Sequence, residues 1–581
     1  MAALALRLSV WPRVFAGGEV ILDGPDGYYH LRRAAMTLQH WPRVPQFDPM
    51  LNFPAGGRIS WTPLFDGLLA TLALPWRSDR ALEIAGAFLP PILGVLQLIV
   101  LYALVDTLRG RRAATAAVIV AAILPAAVRY TLLGSLDHDP FYVLCVLLAL
   151  LGLARGRPWL VGIGLACGIL GWAGAVVAIA IVTIVTVAIR GDASRALAFG
   201  ATGAAIVVLP FVVASPWPGA TFEGLSWLHL TALAGAGAVG ALFARRRAIA
   251  IVDGIACLAL LPISIRPLLA GAAYAAGDAP ILAMVAEAQP LFRLFGQLDF
   301  WPIVIRFGLL PLMALVLLPL WLRRERARDL LFITPWLAVT FALALLHSRF
   351  SFDAGIALSA FAGIAFDRME RRALMATVAL IPILPAYVPL PRLEPYNFYL
   401  RPNALRQYEM DRICMWLRAQ QPGAVLAPWS FGHWIVWIAR KPVVISPMLS
   451  VGQSEFADGL RFFFLTDDAA AQRFLQSHGV RYLIVTPEID TIAARARVAG
   501  LDPAPYRDPR LYARTIGARL AFGGPFDGYR EVLRSRAAFG AVPLVRVFER
   551  QGSTRESSPP ARNPSSSPSV RAMSVGAAGP S

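Results

Sequence analysis

The segment Gly134-Ser135-Leu136-Asp137-His138-Asp139-Pro140 places two carboxylates and an imidazole between two strongly apolar stretches. A charge near the centre of a bilayer costs at least ~2.5–3.5 kcal/mol, so such residues belong at a membrane surface or in a polar cavity. Asp137 and Asp139 are separated by one residue, and in an extended or turn backbone their side chains project to the same side. Two carboxylates so placed repel unless a cation or a proton joins them, and hard oxygen donors favour Mg²⁺ or Mn²⁺ over zinc. An isolated Asp-X-Asp is equally compatible with headgroup-level charges flanking a span.

Residues of the same kind recur in four other stretches. Asp26 lies in Pro25-Asp26-Gly27-Tyr28-Tyr29-His30-Leu31-Arg32-Arg33, and Glu287 in Met284-Val285-Ala286-Glu287-Ala288-Gln289-Pro290. Arg349 lies in His347-Ser348-Arg349-Phe350, and a tryptophan-rich turn runs Ala427-Pro428-Trp429-Ser430-Phe431-Gly432-His433-Trp434. His30 and His138 could serve as supporting partners, although a lone loop histidine more often merely solvates. Trp41, Trp61 and Trp76 could stack on sugars, but interface tryptophans are ordinarily membrane anchors. Arg32 and Arg33 read as contacts to lipid phosphates or headgroups.

The frame that must position these residues is a membrane protein. The 581-residue chain is 57% hydrophobic and only 15% charged, too little charge for a soluble protein of this size. Its net charge of +18 comes from short Arg clusters between apolar stretches, which set orientation and speak against a nucleic-acid reader. Cys145, Cys167 and Cys257 lie inside apolar stretches and Cys414 stands apart, so no disulfide or zinc framework follows.

Spans are expected at roughly 82–106, 113–130, 140–154, 158–172, 173–189, 195–214, 225–244, 248–264, 302–322, 328–347, 351–366 and 372–390. Ala2 to Val10 is apolar but shorter than the ~20 residues a span needs, and reads as the end of a first span that begins upstream. The membrane domain is thus residues 1–390, an α-helical bundle of about 12–13 spans, with outer loops at 22–80 and 265–300. Arg109, Arg111 and Arg112, Arg155 and Arg157, Arg190 and Arg195, and Arg245 to Arg247 mark every second loop as cytoplasmic. Arg323, Arg324, Arg326 and Arg328, then Arg368, Arg371 and Arg372, continue the alternation. Asp26, Asp137, Asp139, Glu287, Arg349 and everything after Pro391 then share the opposite face.

Residues 391–550 read as a soluble α/β domain. Helices are expected at Ala404–Gln420 and Asp467–His478, and strands at Ala424–Pro428, Pro442–Ser446 and Tyr482–Thr486. Residues 551–581 are rich in Ser, Pro, Gly and Ala and read as a disordered tail.

In motif order and topology, about residues 20–490 resemble the catalytic subunits of the oligosaccharyltransferases, in their single-subunit bacterial and archaeal form, which have the GT-C glycosyltransferase architecture. Asp26 matches the acidic residue of that family's first outer loop, and Asp137 and Asp139 match its second acidic motif. Val285, Glu287, Gln289 and Pro290 match the motif of its fifth outer loop. The resemblance implies a divalent ion, Mn²⁺ or Mg²⁺, held by Asp26, Asp137, Asp139 and Glu287 as a Lewis acid for a leaving pyrophosphate. It also implies that Arg349 meets the donor pyrophosphate, and that Asp26 and Glu287 are catalytic, hydrogen-bonding an acceptor amide. Trp429, Ser430, Phe431 and Gly432 occupy the acceptor-binding signature, Trp-Trp-Asp-Tyr-Gly in the family. Ser430 can hydrogen-bond but is not an ionised acceptor.

The implied activity is an inverting, metal-dependent transfer of a glycan from a polyprenyl-(pyro)phosphate donor to an acceptor protein, at an Asn side chain, on the extracytoplasmic face. The expected partners are the polyprenyl-linked oligosaccharide, an acceptor protein or peptide and membrane lipid, without nucleic acid. The single-subunit organisation suggests a bacterial inner membrane. Ser430 keeps open a GT-C enzyme with a hydroxyl or lipid acceptor. A transporter using the acids as ion ligands is a third reading, but the acids gather at one surface and no internal repeat is found.

Overall fold

A computed structural model describes residues 1–216, 222–276, 280–294, 297–325, 327–388, 404–448, 454–487 and 491–551. The start of the expected soluble domain, 391–403, and all of the expected tail beyond Gln551 lie outside the described residues.

The stretch expected as one long outer loop contains two helices. After α1 (Ala2–Leu8) and α2 (Trp11–Val14), α3 runs Asp26–His40 and α4 Leu64–Ala73. Pro25 suits the start of α3, where a missing N–H costs nothing, and Asp26 meets the positive end of the helix. Pro25 and Pro63 thus stand at the starts of helices inside the stretch expected to be an outer loop. Arg7 of α1 is buried, and its Nε donates to Thr131 Oγ1 at 2.9 Å.

The bundle follows in chain order: α5 (Asp79–Arg109), α6 (Arg111–Ile123), α7 (Pro125–Arg129), α8 (Asp139–Arg155), α9 (Pro158–Gly171), α10 (Val176–Ile189) and α11 (Asp192–Val213). Then come α12 (Trp227–Phe243), α13 (Arg247–Ala276), α14 (Trp301–Phe307), α15 (Leu310–Arg324), α16 (Arg328–Leu346), α17 (Ser351–Arg368) and α18 (Arg372–Leu380). These match the expected apolar stretches in order. By length and composition, however, five described helices could each cross a membrane, and the bent pair α14–α15 makes a sixth. The others are shorter than the ~20 residues of a full span.

Two boundaries differ from expectation. Helix α13 continues to Ala276, well past the end expected at 264. The expected straight span 302–322 is broken, with α14 and α15 meeting at 78°. Gly308 makes the break: its φ is +61°, and a Cβ there would lie 2.1 Å from the Ala379 carbonyl oxygen.

Helix α17 is the centre of the bundle, 94% buried along its span. Its Gly363 admits α6, since a Cβ would stand 2.4 Å from the Ala113 carbonyl oxygen. At one end of the bundle Arg109 Nε lies 3.0 Å from Asp367 Oδ2 and Arg368 Nη2 lies 2.8 Å from Asp329 Oδ2. Arg368 also pairs with Glu325. Loops expected on one side of the membrane are thereby locked together.

The C-terminal domain opens with α19 (Ala404–Arg418) and holds a four-stranded sheet. Its strands are β1 (Ala424–Leu426), β2 (Val480–Val485), β3 (Tyr529–Arg534) and β4 (Arg546–Arg550), in the order β1-β2-β4-β3. β1 and β2 are parallel, and β4 runs antiparallel to both its neighbours. Helix α20 (Asp468–Ser477) is capped by Asp467, whose Oδ1 accepts from Ala469 N at 2.9 Å. The strand expected at Pro442–Ser446 reduces to one bridge between Val443 and Val425. Val443 N instead donates to the Met50 carbonyl at 2.8 Å, and Phe53 N donates to the Val443 carbonyl at 2.9 Å. A single hydrophobic core joins Tyr28 and Leu31 of α3 and Leu82 of α5 to Met410, Ile413 and Val436 of the C-terminal domain. The two parts share an interior.

Candidate functional site

A cavity of about 1080 Å³ lies between the bundle and the C-terminal domain. Asp26, His30, His138, Glu287 and Arg349 line it from the membrane side, and Trp429 and Ser430 from the other. Each polar group is set by its element. Asp26 and His30 stand four residues apart on one face of α3. Asp137 and His138 end the turn before α8, and Asp139 is its first residue.

Arg349 is the hub of the acidic wall. Its Nη2 lies 3.6 Å from Asp139 Oδ1 and its Nη1 3.7 Å from Glu287 Oε1. The guanidinium sits 5.0 Å over the Trp172 ring, which also stacks on His138 at 5.6 Å. Arg349 and Glu287 are held in step by their neighbours. The Ser348 hydroxyl donates to the Glu287 carbonyl at 2.9 Å, and Ser348 N to the Gln289 carbonyl at 2.9 Å.

Asp137 Oδ1 accepts from His138 N at 2.6 Å and lies 2.8 Å from His138 Nδ1. Burial alone would raise the Asp137 carboxyl, but His138 beside it holds it well below the usual carboxylate range. Burial opposes protonation of His138, yet Asp137 outweighs it and lifts the imidazole to about 9. Glu287 is pushed up to about 7, chiefly by burial, with Arg349 opposing.

Asp26 faces the other domain. Its Oδ1 is 3.2 Å from His433 Nδ1, and the His433 ring stacks on Tyr29 at 4.6 Å. Burial depresses the His433 pKa below its ordinary value, with Asp26 opposing. His30 Nδ1 lies 2.6 Å from Asp66 Oδ1, and Arg33 Nη1 donates to Asp66 Oδ2 at 2.9 Å. Arg33 is fully buried there, and Arg32 forms a two-pronged pair with Asp48 at 2.9 and 3.0 Å. Neither arginine is the expected headgroup contact.

Of the acidic residues expected to bind metal, Asp26 and Glu287 line the cavity, while Asp137 and Asp139 stand behind it against His138 and Arg349, and the four do not converge on one point. Among the described residues, the one group of three whose donor atoms all lie within 4.8 Å of one another is His30, Asp137 and His138. His30 Nε2, His138 Nε2 and Asp139 Oδ2 are buried and have no hydrogen-bond partner. Carboxylate oxygens beside the unpartnered His30 Nε2 fit a divalent cation, and an imidazole in the donor set tilts it from Mg²⁺ towards Mn²⁺, whereas His138, protonated by its pairing with Asp137, is a donor in this state.

On the acceptor side the expected signature divides. Trp429 and Ser430 face the cavity, whereas Phe431 and Gly432 are buried beneath it. A Cβ on Gly432 would lie 2.8 Å from Ser446 Cα, so this glycine serves packing. Trp41 and Trp76 are exposed as anchors would be, but Trp61 lies in the site, 4.3 Å from the His30 ring and 5.8 Å from His433. Sequence reading gave too little weight to His30, Trp61 and His138, and missed Trp172 and His433. The i, i+4 spacing of Asp26 and His30 was the one available signal.

Residues 1–392 match the family model described as Oligosaccharyl transferase STT3, N-terminal. Dolichyl-phosphooligosaccharide-protein glycotransferase 1 of Archaeoglobus fulgidus is 24% identical over 539 residues, covering 84% of this chain and 86% of its own. The structure of the archaeal oligosaccharyltransferase AglB from Archaeoglobus fulgidus, in complex with an inhibitory peptide and a dolichol-phosphate, superposes with a TM-score of 0.75. It is 18% identical and covers 92% of this chain and 78% of that one. An Archaeoglobus fulgidus oligosaccharyltransferase tethered to an acceptor peptide with the NVT sequon gives a TM-score of 0.74 at 17% identity, covering 94% and 87%. These structural likenesses are of fold.

Proposed function

The chain belongs to the STT3 oligosaccharyl transferase family of membrane glycosyltransferases, and from that premise we propose that it moves a glycan from a polyprenyl-(pyro)phosphate carrier to an asparagine side chain of an acceptor protein. The observation that carries this is one cavity in which Arg349, Asp26 and Glu287 face Trp429 and Ser430. The archaeal relative is named for transfer from a dolichyl-linked oligosaccharide to protein, and the tethered structure holds an Asn-containing peptide, which supports the acceptor class. The alternating Arg loops support an extracytoplasmic site, and the single-subunit organisation a bacterial inner membrane.

The residues divide the work as follows. Arg349 offers a planar fork to pyrophosphate oxygens, pre-aimed by Asp139, Glu287 and the Trp172 face. Asp26 and Glu287 accept hydrogen bonds from the acceptor amide N–H groups, which localises the nitrogen lone pair. That nitrogen attacks the anomeric carbon as the C–O bond to the carrier breaks, the bonding pair leaves on the phosphate oxygen, and the nitrogen passes one proton to the carboxylate, Asp26 or Glu287, that accepts its hydrogen bond. Single displacement inverts the anomeric centre. Asp26, Asp137, Asp139 and Glu287 would hold a divalent cation, Mn²⁺ or Mg²⁺, which when bound would supply Lewis-acid neutralisation of the leaving group.

The test is glycan transfer by the purified protein in detergent, with polyprenyl-linked donor, Mn²⁺, and peptides carrying Asn-X-Thr or Gln-X-Thr. Metal-dependent modification of the Asn peptide alone, abolished in Asp26→Ala and Asp139→Ala, is expected. Ser430 favours one second reading, a hydroxyl or lipid acceptor; it predicts metal-dependent donor hydrolysis without peptide transfer.

A further inference from the structure

His30 is held in a way that solvation or simple packing does not require. Its Nδ1 is 2.6 Å from Asp66 Oδ1, and Asp66 is in turn fixed by Arg33 at 2.9 Å. A carboxylate on Nδ1 makes that nitrogen the N–H donor, so Nε2 presents a lone pair. Nε2 is buried without a hydrogen-bond partner and faces Asp137 Oδ1 at 4.0 Å. The ring cannot turn away, because Trp61 covers it at 4.3 Å and Phe65 meets it edge-on at 4.8 Å.

A lone pair opposed to a carboxylate oxygen repels it; a cation between the two removes that repulsion and gives Nε2 the partner it lacks. The 4.0 Å separation is close to the sum of two metal–ligand bonds of about 2.0–2.2 Å. We propose that His30 is itself a ligand of the divalent cation, through Nε2, with Asp66 as the positioning residue that sets its tautomer and aim. This rests on the reading of Asp137 as a metal ligand. A carboxylate behind a histidine is the usual support of a metal-bound imidazole, and its loss typically costs 10–100-fold in affinity. A nitrogen ligand favours Mn²⁺ over Mg²⁺.

The experiment is pulsed electron paramagnetic resonance on the full-length protein in detergent, loaded with Mn²⁺, which detects directly bound ¹⁴N nuclei, alongside Mn²⁺ titration for affinity. His138→Gln removes the neighbouring imidazole, so ¹⁴N modulation surviving in that variant reports His30. It is expected to persist there and to vanish when His30→Asn is added. Asn keeps a donor for Asp66 where Nδ1 stood but has nothing at Nε2, so the fold contact survives while the ligand is lost. Mn²⁺ affinity is expected to fall at least tenfold in His30→Asn, and about tenfold in Asp66→Asn with ¹⁴N modulation retained. Mn²⁺ bound in an Asp137-dependent way, but without ¹⁴N modulation in His138→Gln, would overturn the proposal. Binding indifferent to Asp137→Asn, or no binding, would overturn the metal reading beneath it. Unchanged affinity in Asp66→Asn would remove Asp66 from its role.

Discussion

The Tyr28 hydroxyl donates to Asp411 Oδ1 at 3.2 Å, joining the helix that carries Asp26 to the first helix of the C-terminal domain. The same hydroxyl accepts from Leu22 N at 3.0 Å. Asp411 is 9% exposed, and burial pushes its carboxyl up to about 7, with Tyr28 opposing. Between about pH 4 and 7 the folded protein therefore keeps a proton that the unfolded chain has released, and stability falls as pH rises through that window. Above it the loss is complete. Asp411→Asn, which keeps the acceptor for Tyr28, is expected to melt higher than the parent at pH 8. The difference between the two should shrink steadily as pH drops towards 4. A pH-independent difference in thermal unfolding would refute the assignment.

Arg349 is bracketed by Asp139 and Glu287 and lies over Trp172. Lysine would keep the charge and lose the fork. A charge-assisted hydrogen bond contributes about 1.5–3 kcal/mol, so Arg349→Lys is expected to lose on the order of 10–100-fold in kcat/KM. The loss should appear in the KM for lipid-linked donor and leave the KM for peptide near its parent value, as steady-state kinetics with each substrate varied will tell.

Ser430 faces the cavity where the family signature has a carboxylate. Ser430→Asp adds an ionised acceptor for a peptide hydroxyl. The preference for Asn-X-Thr over Asn-X-Val peptides is expected to rise about tenfold on the basis of one such bond. An unchanged preference in competition assays would mean that this position does not read the acceptor.

Gly308 holds the break between α14 and α15 in a backbone region that suits glycine, against the Ala379 carbonyl. Strain of this kind costs roughly 1–3 kcal/mol, so Gly308→Ala is expected to lower the melting temperature in detergent. Gly254→Ala, on α13 with nothing near the added methyl, is expected to be neutral or slightly stabilising.

The membrane architecture was legible because apolar runs and Arg clusters are local signals, each read without knowing its neighbours. The Asp137/Asp139 pair and Glu287 were legible because charge is rare in such a chain. What escaped depends on distance in space. Trp172 closes α9 and meets Arg349 only after folding, and His433 reaches Asp26 from 407 positions away. Strands β3 and β4 were missed because Tyr529–Arg534 and Arg546–Arg550 mix charge with apolar residues without clean alternation. Arg32 and Arg33 looked like interface charges, but Asp66 meets Arg33 only once α3 and α4 pack together, and Asp48 meets Arg32 only once the segment between those helices folds back.

Backbone pairing of Val443 with Met50 and Phe53 ties assembly to the order of synthesis. A ribosome adding about 5–20 residues per second needs on the order of 20–80 s to travel between the two ends of that joint. For that interval the early outer segment waits with open backbone groups, and Asp26 has yet to meet His433. A chain truncated before His433 would therefore lack both the backbone partner of Met50 and Phe53 and the imidazole opposite Asp26, and so would hold the acidic groups without their second wall.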